Sequence, residues 1–215
     1  MKLVKTLSVL LLIYTAAAGI LLEVPRLPIL NETIRVLYFH VPMWFTMIFL
    51  LLLSSFNAYK FISTKNIKYD LISYNYAHVG VYFGVLGIVT GMIWANYTWG
   101  TFWTNDPKLN GSAVGLLIYF GYFVLRNSIE DESKKAKVSS VYSVFAFSML
   151  IPLIFILPRL TDSLHPGNGG NPGFNVYDLN SQLRLVFYPA VIGFICLGLW
   201  IANIKFKLLK LTDKR

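Results

Sequence analysis

Cysteine is almost absent from this chain: its 215 residues include one, Cys196. With no second thiol, dithiol–disulfide chemistry is excluded, including that of quinone-linked disulfide oxidases of membranes. A lone cysteine inside an apolar run reads as a small packing residue. Histidine is nearly as scarce, with His40, His78 and His165 alone. A zinc centre would lack thiolates and would have to recruit Asp106 or Asp162 at no recognisable spacing. Of the ten acids, the five that fall in the segments assigned below to the outer side, Glu23, Glu32, Asp106, Asp162 and Asp178, form no catalytic carboxylate pair, and the glycine-rich stretch HPGNGGNPG is followed by no Gly-Lys-Ser/Thr of a phosphate loop. No internal repeat is visible, which argues against a transporter built from inverted halves.

Charge is scarce as well. Only 13% of the residues are charged, against 56% hydrophobic, and several apolar runs approach the roughly 20 residues that a membrane-spanning helix needs. The expectation is an all-α integral membrane protein, one polytopic domain over 1–215, with six spans at about 4–22, 36–59, 76–95, 112–126, 138–157 and 183–204. Helices are required because irregular backbone cannot satisfy its hydrogen bonds in hydrocarbon.

The net charge of +9 is distributed by loop rather than gathered on a basic surface, so no nucleic-acid partner is expected. With the N-terminus inside, fourteen of the nineteen basic residues, from Lys2 and Lys5 through Lys60, Lys134 and Lys135 to Lys214 and Arg215, fall on one side with five acids. Arg26, Arg35, Lys108, Arg159 and Arg184 fall on the other side, also with five acids. The whole +9 therefore lies on one side, as the positive-inside rule expects. Both termini are placed in the cytoplasm. The first span carries Thr15-Ala16-Ala17-Ala18-Gly19 near its end, yet Ile20 to Leu22 continue the apolar run, so it reads as a retained anchor rather than a cleaved signal.

This topology leaves plain, lysine-bearing connectors inside. The distinctive segments are outside: Glu23 to Arg35, a loop over 96–111 containing WGTFWTNDPK, and a loop over 158–182 containing DSLHPG. In the third span Gly80, Gly84, Gly87 and Gly91 share one helical face and read as a close-packing stripe. In the loop, Gly100 permits a bend, Asp106-Pro107 disfavours helix at Asp106, and Asn110 or Ser112 is expected to cap the fourth span. Trp94, Tyr97, Trp99, Phe102 and Trp103 would serve as an interfacial belt, but a belt has no reason to prefer WGxxWxxDP.

His40, in RVLYFHVP, lies about one turn inside the second span, and His165 lies in the last outer loop. His40 taken alone reads equally as an interfacial histidine and as a ligand. Together with the aromatic loop, two neutral imidazoles have the chemistry to ligate a haem iron from both sides, with Trp and Phe rings as porphyrin surface. Arg35, Lys108, Arg159 and Arg184 are cations placed to meet the propionates. His78 falls at the opposite end of the third span, where a local hydrogen-bonded role is expected.

The segment GIVTGMIWANYTWGTFWTNDPKLNGSAVGLLIYFGY resembles the tryptophan-rich WWD segment of the haem-handling proteins of cytochrome c maturation, the CcmC, CcmF and CcsA group, and its CcmC branch in particular. RVLYFHVP and DSLHPG resemble that family's first and second outer histidine motifs, in the family's order. The resemblance implies His40 and His165 as axial ligands of a transiently bound haem b, and Trp99, Trp103 and Asp106 as the core of a platform that includes Gly100 and Phe102. Arg35 and Lys108 become propionate partners. A common form of the motif reads WGTWWxWD; here Phe102 keeps an aromatic ring at one tryptophan position, whereas Asn105 does not at another. The implied function is haem handling rather than enzymatic reaction, in a bacterial inner membrane. Implied partners are a periplasmic haem chaperone (CcmE-like), an ABC transporter complex (CcmAB-like) and the lipid bilayer. Competing expectations are a CcsA-type cytochrome c synthase component, a b-type electron-transfer cytochrome, and a small-molecule permease, the last of which leaves the WGTFWTNDP loop unexplained.

Overall fold

A computed structural model describes residues 1–27, 29–165 and 179–212. The expected glycine-rich stretch, from Pro166 to Asp178, lies outside the described residues, as do Lys214 and Arg215, two of the cations used for orientation. Among the described residues the regular structure is entirely helical, and six helices are long and apolar enough to cross a membrane. They are α1 (Lys2–Leu21), α2 (Leu37–Thr64, entered through a 3₁₀ turn over Asn31–Val36), α3 (Ile67–Trp99), α4 (Pro107–Asn127), α5 (Glu132–Ile151) and α6 (Ser181–Thr212). At Pro152 the missing amide interrupts the ladder of α5. The chain continues through a π turn, Pro152–Ile156, into a last helical turn, Leu157–Leu160.

Helix α2 is the centre of the bundle, packed against α3, α5 and α6, and α1 stands outside against α6. Met47, Leu50 and Leu51 of α2 are fully buried with Ala77 and Val79 of α3, Tyr119 and Tyr122 of α4, and Leu150 of α5. Cys196 is buried among apolar neighbours.

The glycine stripe explains how closely α3 approaches α2. A Cβ on Gly80 would meet Leu51 Cδ2 at 3.0 Å, on Gly84 Met47 Sδ at 2.6 Å, on Gly87 the Trp44 ring at 2.8 Å, and on Gly91 His40 Cε1 at 2.7 Å. Each glycine thus receives one α2 side chain, and the last of these is a candidate ligand.

The helices run past the apolar stretches. Helix α3 begins at Ile67 rather than near 76 because Asn66 caps it, its side chain accepting from the Lys68 amide at 3.1 Å. Polar residues in this added length find partners inside the bundle. Asp70 accepts from Arg126 Nη1 and Nη2 at 2.8 and 2.6 Å, and both side chains are buried. The same helix runs to Trp99, so the connection between α3 and α4 is Gly100 to Asp106 rather than 96–111.

Candidate functional site

The α3–α4 connection is shaped by its two ends. Gly100 closes α3 with φ +76°, a left-handed conformation that glycine adopts without Cβ strain. Asp106 opens α4 in extended conformation. Its side chain accepts from the amides of Lys108 and Leu109 at 2.8 and 3.2 Å, and Pro107 occupies the first helical position, where an amide is dispensable. The expected caps, Asn110 and Ser112, therefore lie within α4. The reason is that Asp106-Pro107 is itself a complete start signal three residues earlier.

Asn110 has another task. Its Oδ1 accepts from Trp103 Nε1 at 3.3 Å, and its Nδ2 donates to Asn105 Oδ1 at 2.7 Å. Asn105, standing where the motif commonly has a ring, thereby supports Trp103 through a polar chain. Trp103 is 39% exposed and Phe102 is 54% exposed. These rings form an open surface. The recess beside them, lined by Thr104, Asn105, Asp106, Asp162, Ser163 and Leu164, is only about 200 Å³, below the roughly 300–1,000 Å³ of an enclosing ligand pocket.

His40 sits in the first turn of α2, its ring seated over Gly91. Its Nδ1 is 3.0 Å from Thr90 Oγ1, which lies 2.8 Å from Leu86 O and 3.1 Å from Gly87 O. The Thr90 hydroxyl donates to a carbonyl of its own helix, so its oxygen accepts from Nδ1–H of His40. This accounting assigns the neutral tautomer with the lone pair on Nε2. The rings of Trp94 and Trp44 stand edge-on to the imidazole at 5.8 and 6.4 Å, and Trp94 is held by donating from Nε1 to Thr33 Oγ1 at 3.2 Å.

His165 belongs to the segment after α5. Its ring is edge-on to Trp99 at 5.0 Å, and its Nδ1 is 3.0 Å from Asp106 Oδ1. That is ion-pair distance, although the ring is turned off the line of a straight hydrogen bond. Ser163 Oγ and the Leu164 amide both donate to Asp106 Oδ2, at 2.9 and 2.8 Å, and the His165 amide donates to Ser163 Oγ. Burial opposes ionisation of Asp106, whose side chain is 1% exposed. The His165 contact, the Leu164 amide and the Ser163 hydroxyl outweigh it and hold the carboxyl well below the usual carboxylate range. Asp106 is thus a buried joint between the aromatic connection and the histidine segment.

His40 and His165, apart by 125 positions, lie within electrostatic reach of each other, with Lys108 also near His40. Gly100, Phe102 and Trp103 lie on the α3–α4 connection, and Trp99 is the last residue of α3. Arg35 is engaged elsewhere: it pairs with Glu32 at 2.7 Å and donates to Gly19 O and Leu22 O at 2.6 and 2.8 Å, closing the carbonyl end of α1. Thr90, Gly91, Ser163 and Asn110 complete the site. Of these, Gly91 was marked by the glycine periodicity and Asn110 as a candidate cap; neither signal pointed to its contact in the site.

His78 is at the other end of α3. Its ring meets Tyr82, Phe123 and Tyr74 edge-on at 4.8, 5.2 and 5.7 Å. Its buried Nδ1 has no hydrogen-bond partner, so the local role is packing among rings rather than the expected hydrogen bond at that atom. Among the described residues, no group of three or more His, Cys, Asp or Glu gathers to hold a bare metal ion.

Comparison with known proteins supplies an independent line. The family model CcmC, heme exporter protein C, matches residues 1–214. Heme exporter protein C of Haemophilus influenzae is 26% identical over 145 residues, covering 65% of this chain and 56% of that protein. A putative cytochrome c biosynthesis ccmC-like mitochondrial protein of Marchantia polymorpha is 27% identical over 135 residues, covering 63% and 56%. The cytochrome c biogenesis protein CcsA of Prochlorococcus marinus is 40% identical over a shorter stretch of 65 residues, 30% of this chain and 21% of that protein. The chain spans about half the length of the heme exporter relatives it matches.

Proposed function

The chain belongs to the CcmC family, heme exporter protein C, and from that membership we propose that it is a haem-handling membrane protein of cytochrome c maturation. It holds haem b transiently at the outer, periplasmic face of a bacterial inner membrane and delivers it to a periplasmic haem chaperone, beside a CcmAB-type ABC transporter. Haem is its cargo, and the protein performs no reaction of its own on it. The charge asymmetry of the loops supports an orientation with both termini inside.

The observation that carries this reading is that His40 and His165 lie within electrostatic reach of each other, each with Nδ1 beside a side-chain oxygen, which leaves Nε2 as the nitrogen that would bind iron. Trp99, Phe102 and Trp103 supply apolar ring surface beside them, and Lys108 brings a cation for a propionate. The residues fit the cargo in donor chemistry: neutral imidazoles are ordinary haem ligands, and aromatic faces suit a porphyrin. The open surface suits handing on, because a cargo enclosed on all sides would have to wait for the bundle to open.

The test is the visible spectrum of the detergent-purified protein from a haem-replete host, with His40→Ala and His165→Ala beside it. The wild-type protein is expected to show a Soret band that weakens or shifts in both variants. Haem content and cytochrome c maturation unaffected by either substitution would remove the axial pair from consideration.

A further inference from the structure

The two candidate ligands differ in what stands behind them. At His40 the partner of Nδ1 is the neutral hydroxyl of Thr90, on the neighbouring helix α3, and the ring is fixed by packing against Gly91. At His165 the partner is a carboxylate, and it belongs to the N-terminus of α4.

The Asp106 carboxylate divides its oxygens by task. Oδ1 accepts from the Lys108 and Leu109 amides and faces His165 Nδ1; Oδ2 accepts from the Ser163 hydroxyl and the Leu164 amide. Helix capping alone would need only one of these oxygens. The second is spent entirely on the segment that carries His165, which joins two connections 57 residues or more apart in sequence. A carboxylate behind a ligating imidazole fixes the tautomer and raises the donor strength of the opposite nitrogen, and a neutral hydroxyl oxygen does so less.

Resting on the reading of the site given above, we infer that Asp106 is a positioning residue that clasps residues 163–165 to the start of α4 and makes His165 the strongly held axial ligand, leaving His40 as the ligand released first. Release at His40 returns the lone pair to Nε2 and moves no proton or electron, so the step needs no co-reactant. The connection bearing the aromatic rings and the segment bearing His165 then act as one unit, and cargo leaves His40 while still tethered to that unit.

The decisive variant is Asp106→Asn in the full chain. Asparagine is as good a helix cap as aspartate, so its Oδ1 keeps the Lys108 and Leu109 amides. It loses the charge, however, and turns an NH₂ toward the Leu164 amide and Ser163, where an acceptor is required. Two readouts are measured: the tautomer of His165 by ¹⁵N-histidine NMR without haem, and the rate at which haem is lost to an excess of apomyoglobin. The wild-type protein is expected to hold His165 as the Nδ1–H tautomer. Asp106→Asn is expected to lose that preference and release haem about 10–100-fold faster, the range for removing a partner behind a metal ligand, with Thr90→Val giving a smaller acceleration.

An unchanged tautomer and an unchanged haem-loss rate in Asp106→Asn would overturn the inference. So would Thr90→Val accelerating loss more than Asp106→Asn. Should Asp106→Asn not be recovered folded, Ser163→Ala decides, because it leaves both capping bonds of α4 intact. Faster haem loss in it supports the clasp, and an unaltered rate overturns it. A wild-type protein that takes up no haem would defeat the proposed function instead, and the tautomer measurement would still decide the clasp.

Discussion

Both ends of the bundle hold a histidine among aromatic rings with a buried aspartate in the neighbourhood, and the two aspartates are partnered differently. Where His78 lies, Asp70 is taken up by the two-pronged guanidinium of Arg126, which itself stacks on Tyr74 at 4.7 Å. The carboxylate and the cation satisfy one another, and His78 is left as a ring among rings. At the end of His40 and His165, amides, a hydroxyl and an imidazole surround the Asp106 carboxylate. A histidine among aromatics is therefore no indication of a site until the partner of the nearest carboxylate is known. The Asp70 carboxylate joins two helices, whereas the Asp106 carboxylate faces an imidazole.

The contrast breaks most severely at the saturated end. Arg126→Leu strips Asp70 of its partner and leaves a charge buried in the bundle, with an expected loss of about 3–5 kcal/mol. Asp70→Leu combined with Arg126→Leu removes both charges and is expected to regain most of that loss. Thermal unfolding in detergent measures both, and the double variant should keep the wild-type Soret band. A shifted band in the double variant would mean that the two ends are coupled.

A smaller effect separates the two ends along one helix face. Gly91→Ala places a methyl 2.7 Å from His40 Cε1 and is expected to cost about 1–3 kcal/mol by overpacking and to weaken haem retention by displacing the ring. Gly80→Ala, whose methyl would meet Leu51 at 3.0 Å, should cost stability alone. Equal haem retention in the two variants, measured by titration with hemin, would show that the seat over Gly91 does not position His40.

The smallest effect is expected at His78. Its buried Nδ1 satisfies no hydrogen bond, so His78→Phe exchanges an unpaired polar atom for an apolar ring of similar shape, a change of roughly zero to +1 kcal/mol in stability. The unfolding midpoint should hold or rise, and haem binding should not change. A clear loss of haem in this variant would give the second end a role that its geometry does not indicate.

The six apolar helices were legible because length and hydropathy are carried by contiguous residues. Their ends were less so. The start of α3 at Ile67 depends on the polar length around Asp70 being paired with Arg126, 56 positions away, and no local pattern announces that pairing. The same holds at the site. His40, His165 and the rings from Trp99 to Trp103 stood out by residue type, order and family resemblance. Thr90 did not, and Gly91 stood out only as part of a packing stripe, because what each does for His40 lies in facing it across a helix interface. Asp106 was visible as a motif residue, but its partners were not: an aspartate before Pro107 announces a cap, and nothing local announces Ser163, Leu164 and His165. Arg35 stood out as an interfacial cation, but its contacts with the carbonyl end of α1, 13 or more residues away, were not legible.

Lipid imposes one requirement on every span, internal satisfaction of its backbone, and a chain can meet that requirement only with long apolar helices. Membrane class, helix number and the gathering of unusual residues into two connections follow from composition read in order along the chain. Which polar group answers which is a different kind of fact. Hydrogen bonds and ion pairs act over a few ångströms, so Thr90 behind His40, Asp106 behind His165 and Arg126 on Asp70 exist only once the helices have packed.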